Sequence, residues 1–188
     1  MNMSSIKCIA PMNKDTILSL RAGDTVLLSG VVYTARDAAH ARLCAALERG
    51  EPLPADMRGQ LIFYAGPTPT PPGKKCGAIG PTTSVRMDPY TPALLRYGIA
   101  GTIGKGGRGK EVADAVRECG AVYFTAPGGC AALLSSCVEK VEVIAYEDLG
   151  TESLKRLTVR DFPLTVAIDP LGGDAFRDGM NKYKQSAE

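Results

Sequence analysis

Hydroxyl and cationic side chains gather in three segments of the chain where the predicted secondary structure changes. In the first, Arg36 lies where a predicted strand gives way to a predicted helix. In the second, Thr82, Thr83 and Arg86 lie within residues 80–88, in which three consecutive hydroxyl residues follow Gly-Pro. Proteins built from βα units bind ligands beyond the carboxyl ends of their strands. These two segments therefore predict a ligand site.

The residue types suit an anion, although a structural explanation fits them as well. At a helix N-terminus, the guanidinium of Arg36 and the free backbone N–H groups together suit a carboxylate. Alternatively, Thr34 caps the helix while Arg36 lies in solvent, and the hydroxyls after Gly-Pro are simple helix caps. A threonine such as Thr82 is also a poor base unless a positive field lowers its pKa. The residues alone leave both explanations open.

The third segment is the glycine-rich loop 104–110, which carries Lys105 and Arg108. It fails the phosphate-loop spacing because Glu111, rather than Ser or Thr, follows Lys110. Its glycines match a bare G-x-G-x-x-G spacing, but no acidic ribose partner lies at the expected distance. The interpretation that remains is an anion-binding loop.

The overall charge and the local charge point to different partners. The chain has 22 Lys and Arg against 20 Asp and Glu, a formal net charge of +2, which argues against a polybasic nucleic-acid binder. The loops nevertheless collect cations. These are Arg36, Arg86 and Lys105, with Lys74, Lys75 and Arg108 in reserve. A small multivalent anion fits such a pocket, and both a dicarboxylate and a phosphorylated metabolite qualify.

Cysteine and histidine spacing predicts no metal ligands in this chain. It has six Cys and one His, without a C-x-x-C motif, and the closest pair, Cys130 and Cys137, fits no zinc or iron–sulfur pattern. Free thiols in a reducing cytoplasm are expected. His40 is expected on a helix surface or partly buried with a partner.

A cytoplasmic location without membrane contact is expected for two further reasons. Residues 1–15 lack a basic segment followed by an apolar core, so no signal peptide is predicted. No apolar stretch approaches the length of about 18 residues that a membrane span needs.

The chain is expected to be one α/β domain, residues 1–188. Strands are predicted at 16–20, 25–29, 31–33, 61–65, 101–103, 121–126, 141–146 and 164–169. Helices are predicted at 37–48, 91–97, 109–119 and 128–138, with one or two helical turns at 152–157. The early strands predict an antiparallel layer, and the later alternation predicts a parallel layer covered by helices. Between them, residues 66–81 hold five Pro and four Gly and predict a long functional loop.

At these residues the chain resembles the β subunit, or C-terminal domain, of class I iron–sulfur fumarases and L-tartrate dehydratases. The resemblance rests on LLSGVVYTARDAAHARL (27–43), GPTTSVRMDPYTPALL (80–95), GTIGKGGRG (101–109), GAVYFTAPGGCAALL (120–134) and the stretch 145–172. These segments run in the family's order and cover nearly the whole chain. The resemblance implies the swivelling β/β/α domain, three layers with a parallel central sheet and a second, antiparallel sheet.

The resemblance also implies an activity, the reversible hydration of fumarate to malate. A [4Fe–4S] cluster on the other domain or subunit would bind the substrate's hydroxyl and a carboxylate. In this chain Thr82 would be the base for the C3 proton, with Thr83 in hydrogen-bonding range of the substrate. Arg36 and Arg86 would hold the two carboxylates, and Lys105 would be a third cationic contact.

No cysteine of this chain falls at a cluster-ligand position of the family. The resemblance therefore implies a separate cluster-bearing α subunit, homodimer contacts within a heterotetramer of two subunits of each kind, and an inactive isolated chain. Two alternatives stay open, an L-tartrate dehydratase β subunit and a non-catalytic anion-binding module of the same fold. A nucleotide-binding enzyme would rest on the glycine-rich loop alone.

Overall fold

Seven strands join in one mixed sheet in this computed structural model, which describes residues 5–184. The strands are β1 Ile6–Ala10, β2 Thr25–Thr34, β3 Leu61–Phe63, β4 Gly101–Gly104, β5 Val122–Thr125, β6 Val138–Ala145 and β7 Leu154–Ile168. The α-helices are α1 Lys14–Ser19, α2 Asp37–Glu48, α3 Thr91–Tyr97, α4 Lys110–Cys119, α5 Ala131–Ser136 and α6 Ala175–Tyr183. Two 3₁₀ helices span Ser84–Met87 and Glu147–Glu152. The expected domain also included residues 1–4 and 185–188, which lie outside the described residues.

The pairing of β2 with β7 closes five of the strands into a ring. Strands β2, β3, β4 and β5 pair in that order and are parallel. Strand β7 runs antiparallel to β5 and, over Thr25↔Thr165 to Thr34↔Lys155, antiparallel to β2. Strands β1 and β6 add to the ring at β2 and β7. The carboxyl ends of β2 to β5 consequently lie along one edge.

Alternating side chains of the strands feed two hydrophobic cores. In β3, Leu61 and Phe63 join a core to which all seven strands contribute. Ile62 points the other way, into a second core that packs the sheet against α2, α3 and α4. This is the two-residue alternation of a strand covered on both faces. The α2 helix is thereby fixed against the sheet at the residue that follows Arg36.

The mixed α/β class and several elements match the sequence predictions, including the helices at 37–48 and 91–97. The parallel and antiparallel pairings, however, belong to one sheet rather than two. The reason is the length of β7, whose 15 residues pair with β2, β5 and β6. The predicted strands 25–29 and 31–33 are one strand, with irregular pairing beside Gly30.

Two local predictions were wrong. Residues 16–20, predicted as a strand, lie mostly in α1, because the Asn13 side chain caps that helix by accepting the N–H of Thr16 at 2.8 Å. The early strands accordingly pair in parallel, β1 with β2, across an intervening helix. Residues 152–157, predicted as helical, mostly begin β7, whose long-range pairing outweighs local helix preference.

None of the helices found in residues 5–184 combines the length and the apolar character needed to cross a membrane.

Candidate active site

The site predicted from the sequence lies at the carboxyl ends of β2, β3 and β4. Arg36 follows β2 by two residues, and Lys105 follows β4 directly. The segment 82–84 lies against the ends of β3 and β4, since the N–H of Thr82 donates to the Tyr64 carbonyl at 2.7 Å. On the other side, the N–H of Ser84 donates to the Lys105 carbonyl at 3.0 Å. The loop 66–81 thus returns the chain to the same edge of the sheet.

Backbone hydrogen bonds fix Thr82, Thr83 and Lys105 next to one another. The N–H of Lys105 donates to the Thr82 carbonyl at 3.3 Å, and Thr83 forms an isolated parallel bridge with Lys105. Thr82 is half-buried, whereas Thr83 is exposed. Among the described residues, the Lys105 ammonium forms no ion pair, so its charge is available to an anion.

The two predicted arginines meet at one carboxylate. Arg86 donates from Nε to Oδ1 of Asp37 at 2.9 Å, and Nε of Arg36 lies 4.0 Å from Oδ2 of the same residue. The Arg36 Nη2 also lies 3.3 Å from Oε1 of Glu152. The side chain of Arg36 is 25% exposed and that of Arg86 is 50% exposed. The Arg36 side chain is therefore partly buried and in contact with two carboxylates, rather than solvated.

Glu152 replaces the cap expected from Thr34. Arg36 occupies the N-cap position of α2 without a side-chain capping bond, and Oε2 of Glu152 accepts the N–H of Ala38 at 3.4 Å. The Thr34 hydroxyl is buried without a partner among the described residues. The structural explanation in which Thr34 caps the helix is therefore wrong.

The segment that follows β3 joins the two halves of the site. Its Tyr64 carbonyl holds Thr82, and its Gly66 packs against Arg36. A Cβ atom at Gly66 would lie 2.7 Å from the Thr151 carbonyl oxygen and 3.5 Å from Cδ of Arg36. Only glycine allows that approach without a shift of the backbone. Together these contacts bring all five predicted residues to one stretch of the sheet edge.

Arg108, which the sequence holds in reserve as a cation of the anion-binding loop, does not belong to this surface. Its side chain is fully buried, with Nε donating to Asp88 at 2.7 Å and Nη2 donating to the Thr91 hydroxyl at 2.7 Å. The guanidinium also lies over the rings of Tyr64 and Tyr123, at 5.2 and 5.0 Å from their centroids. The two tyrosine rings and the Asp88 carboxylate thus direct the Arg108 side chain into the interior of the protein.

Two glycines of the loop 104–110, Gly104 and Gly109, serve packing. A Cβ at Gly104 would overlap the Ser84 hydroxyl, which itself hydrogen-bonds to the hydroxyl of Tyr123 at 2.9 Å. The N–H of Gly109, just before α4, donates to Oδ2 of Asp88 at 2.7 Å. The loop therefore brings Lys105 close to residues 82–84 and leads into α4. The close packing at Gly104 and Gly109 explains two of the glycines that make the loop look like a phosphate loop.

His40 lies behind Arg36 and is fully buried. Its Nδ1 is 2.9 Å from the Arg36 carbonyl oxygen, and its ring meets Tyr64 edge-on at 5.2 Å. Burial is the largest influence and lowers the pKa of His40 to about 4. The imidazole is therefore neutral at neutral pH. The expectation of a surface position was wrong, and that of a partner holds for Nδ1 only, because Nε2 is buried without a partner among the described residues.

Lys74 and Lys75 lie in a different place from the other cations. Both are exposed in the loop 66–81 and line a cleft with Cys76 and residues of α5 such as Ser135. Nothing in this cleft brings them to Asp37 or Thr82.

The described residues offer no ligand set for a metal cluster. Within residues 5–184, no three His, Cys, Asp or Glu side chains lie together in a way that could hold a metal ion. All six cysteines are free; they are Cys8, Cys44, Cys76, Cys119, Cys130 and Cys137.

One family of known proteins matches the sequence across all the residues of the candidate site. The family model described as Fumarase C-terminus matches residues 2–179. The chain belongs to this family. The resemblance stated from the sequence motifs is thereby confirmed, and the matched range contains Arg36, Thr82, Arg86 and Lys105.

Proteins named as fumarate hydratases and a protein named as a tartrate dehydratase subunit are similar to the chain. Fumarate hydratase 2 of Leishmania major is 39% identical over 156 residues, 82% of this chain and 28% of that protein. The anaerobic class I fumarate hydratase of Escherichia coli is 38% identical over 157 residues, 82% of this chain and 29% of that protein. A Methanocaldococcus jannaschii protein, provisionally named L(+)-tartrate dehydratase subunit beta, is 38% identical over 177 residues, 91% of this chain and 90% of that protein.

The chain thus spans less than a third of these fumarate hydratases and nine-tenths of the subunit named for tartrate.

Two residues of the site were not found from the sequence. Asp37 lies next to Arg36 in the sequence, but only the fold brings Arg86 to its carboxylate. Glu152 is separated from Ala38, whose N–H it accepts, by 114 positions, and no local pattern connects them.

Proposed function

We propose that the chain is the β-type component of a hydro-lyase that interconverts fumarate and malate together with a cluster-bearing α subunit. The observation that carries this proposal is the position of Thr82. Its backbone is hydrogen-bonded to Lys105 on one side and, on the other, to Tyr64 in the segment after β3 that also packs against Arg36. The family and its fumarate hydratase members supply the reaction class.

The two arginines suit the two ends of a four-carbon diacid. Arg86 uses Nε for Asp37, which leaves its two terminal nitrogens free to bind a carboxylate. Arg36 is held by Glu152 through one terminal nitrogen and keeps the other. Because both guanidinium groups are positioned before the ligand arrives, they orient the diacid at a low entropic cost.

Thr82 is the residue we assign as base. Both its N–H and its C=O are engaged, so its side chain stands on a fixed backbone. Taking a proton from carbon next to a carboxylate builds negative charge, which nearby fixed cations stabilise. Lys105 and the arginines supply that field, and the same field favours the ionised form of a hydroxyl. Thr83 would hydrogen-bond the substrate beside it.

The proposal assigns the [4Fe–4S] cluster to the α subunit, since the described residues of this chain offer no ligand set for it. Thr83 and Arg86 are exposed, which leaves the outer side of the site open to a partner. We place the complex in the cytoplasm as a heterotetramer with β–β contacts. We infer that within it this chain is a single domain related to the swivelling β/β/α type, in which β7 joins the parallel and antiparallel strands into one sheet.

A tartrate dehydratase is the second candidate, favoured by the archaeal relative that matches over nine-tenths of its length. Tartrate differs from malate by one hydroxyl, and the same arginines and base would serve it. A non-catalytic anion-binding module explains the arginines and Lys105 but assigns no task to the hydroxyl of Thr82.

The proposal is tested by producing the chain with the cluster-bearing subunit of the same organism under anaerobic conditions. Hydration of fumarate and dehydration of L-tartrate are followed for the complex and for each subunit alone. We expect turnover of fumarate by the complex and of neither substrate by the isolated chain. Preference for tartrate would select the second candidate. If the cluster-loaded complex turns over neither diacid, the hydro-lyase assignment is wrong.

A further inference from the structure

Lys155 is a buried lysine whose ammonium is held by a single turn of the chain. The residue is 7% exposed. Its Nζ donates to the carbonyls of Gly150 at 2.9 Å and Thr151 at 3.0 Å, and to the Ser153 hydroxyl at 2.6 Å. Burial lowers the pKa of Lys155 below its usual value. A buried charge is tolerated when its hydrogen-bonding capacity is filled, and an ammonium has three N–H groups to fill.

The turn that Lys155 holds carries the carboxylate that contacts Arg36. Glu152 lies between two residues that bind the ammonium, and its Oε1 is 3.3 Å from Arg36 Nη2. The turn is not a regular one, because Gly150 adopts a φ of 56°. The Gly150 and Thr151 carbonyls and the Ser153 hydroxyl converge on Nζ of Lys155. A group with several N–H donors, such as an ammonium, is needed to hold these oxygens together.

The sheet register connects the turn to the site. Thr34 of β2 lies opposite Lys155 of β7, so the residues beyond these two strand ends, Arg36 and Glu152, meet. The Thr151 carbonyl also packs against Gly66, at the end of the segment that holds Thr82. The turn therefore touches the site at two points.

We propose that Lys155 is a positioning residue, which holds the turn 150–153 so that Glu152 keeps Arg36 in its ligand-binding orientation. This inference rests on the proposed function in one respect, the assignment of Arg36 to a substrate carboxylate. Lys155 itself does not touch the substrate.

The kinetic test uses Lys155→Met in the complete complex. Methionine keeps the apolar stem and removes the three donors. We expect the KM for the diacid to rise about tenfold, the lower end of the effect of one charged hydrogen bond, with kcat within about twofold of the wild type. Lys140→Met is the matched control, because Lys140 on the adjoining strand pairs with Glu142 at the surface and is 63% exposed. An unchanged KM in a folded Lys155→Met complex overturns the proposal.

A second variant keeps the test open if Lys155→Met does not fold. Ser153→Ala removes the hydroxyl that accepts from Nζ and donates to the Gly150 carbonyl. Its KM is expected to rise about twofold to threefold, less than in Lys155→Met, because the ammonium keeps its bonds to the Gly150 and Thr151 carbonyls. A folded Ser153→Ala complex with wild-type KM would then count against the proposal.

A double-mutant cycle separates positioning from general damage. If Lys155 acts through Glu152, adding Lys155→Met to Glu152→Gln raises KM by less than about twofold beyond the single Glu152→Gln variant. Effects that multiply instead would show that Lys155 acts by another route and would overturn the proposal.

Hydrogen exchange of the full chain gives a readout that does not depend on turnover. In Lys155→Met, the amides of Ala38 and Ser153 should exchange faster, since they donate to Glu152 and to Gly150 within or beside the turn. The amides of α4 should keep their wild-type rates. Unchanged exchange at Ala38 and Ser153 would overturn the positioning role. Absence of turnover in the wild-type complex would contradict the proposed function alone.

Discussion

Arg86 is bound through Nε to Asp37, whose other carboxylate oxygen lies 4.0 Å from Nε of Arg36. The Asp37 carboxylate thus anchors Arg86 close to Arg36, which Glu152 holds from a different segment of the chain. Asp37 begins α2, so a helix packed on the sheet fixes its position. The spacing of the two cations is therefore established before any ligand binds.

Removing the Asp37 carboxylate should weaken diacid binding. In Asp37→Ala, Arg86 loses its anchor, and we expect KM to rise about fivefold, which corresponds to about 1 kcal/mol for a partly exposed charged pair. Asp37→Asn keeps an oxygen that accepts from Nε, so its KM should lie between those of Asp37→Ala and the wild type. Steady-state kinetics of the complete complex measure both. An Asp37→Ala enzyme that binds diacid more tightly would show that the carboxylate competes with substrate.

Loss of the Thr82 hydroxyl should affect turnover rather than binding. We expect kcat of Thr82→Ala to fall by about 100-fold or more, the usual contribution of a positioned base, with little change in diacid affinity. Thr82→Ser retains the hydroxyl and should retain most activity. Thr70→Ala, in the exposed loop 66–81, is the control and should behave as the wild type. Near-normal kcat in Thr82→Ala would refute the assignment of the base.

Filling the space at Gly104 should destabilise the fold. In Gly104→Ala the new methyl group meets the Ser84 hydroxyl and lies 2.8 Å from Cδ2 of Tyr64, and such overpacking costs about 1–3 kcal/mol. Adding Ser84→Ala should recover part of the loss, because it removes one of the two clashes. Gly107→Ala, with no neighbouring atom within 4 Å, should change the free energy of unfolding by less than about 0.5 kcal/mol. Urea denaturation of the four proteins tests this relationship.

His40 should make the fold less stable as the pH falls. Its pKa is about 4 in the folded chain against 6.5 for an unperturbed histidine. Between these values the unfolded chain binds a proton that the folded chain does not, so stability is complete above pH 6.5 and is lost towards pH 4. From pH 7 to pH 5 the loss from this group is about 2 kcal/mol.

The variant His40→Phe isolates that contribution. Phenylalanine keeps the aromatic packing against Tyr64 and does not titrate. The free energy of unfolding should therefore depend less on pH between 7 and 5 in the variant than in the wild type. Equal slopes would show that the imidazole is protonated in the folded chain or that it is more exposed than the structure indicates.

That Arg36 and Lys105 lie along one edge of the sheet could be predicted, because local patterns determine their positions. The change from strand to helix at Arg36 and the glycine-rich loop at Lys105 both mark carboxyl ends of parallel strands, where ligands bind. The helix of 37–48 follows from its apolar spacing. These features depend on residues that are neighbours in the sequence.

Contacts between distant segments decided what could not be predicted. Lys105 and Arg108 lie in one loop and have the same charge, but Asp88 and two tyrosine rings turn only Arg108 inward. Residues 154–157 favour no strand on their own, and they become one by pairing with β2 and β6. Glu152 likewise reaches Arg36 only because β7 pairs with β2, which places Lys155 opposite Thr34.

The ring has a consequence for how the protein is made. Strand β2 is synthesised early, but the partner that closes the ring, β7, ends at Ile168. A chain still on the ribosome therefore carries Arg36 without Glu152 and without the strand that brings them together. Pairings so distant in sequence form slowly. Closure of the ring and the meeting of Arg36 with Glu152 are consequently one event, which follows the synthesis of β7.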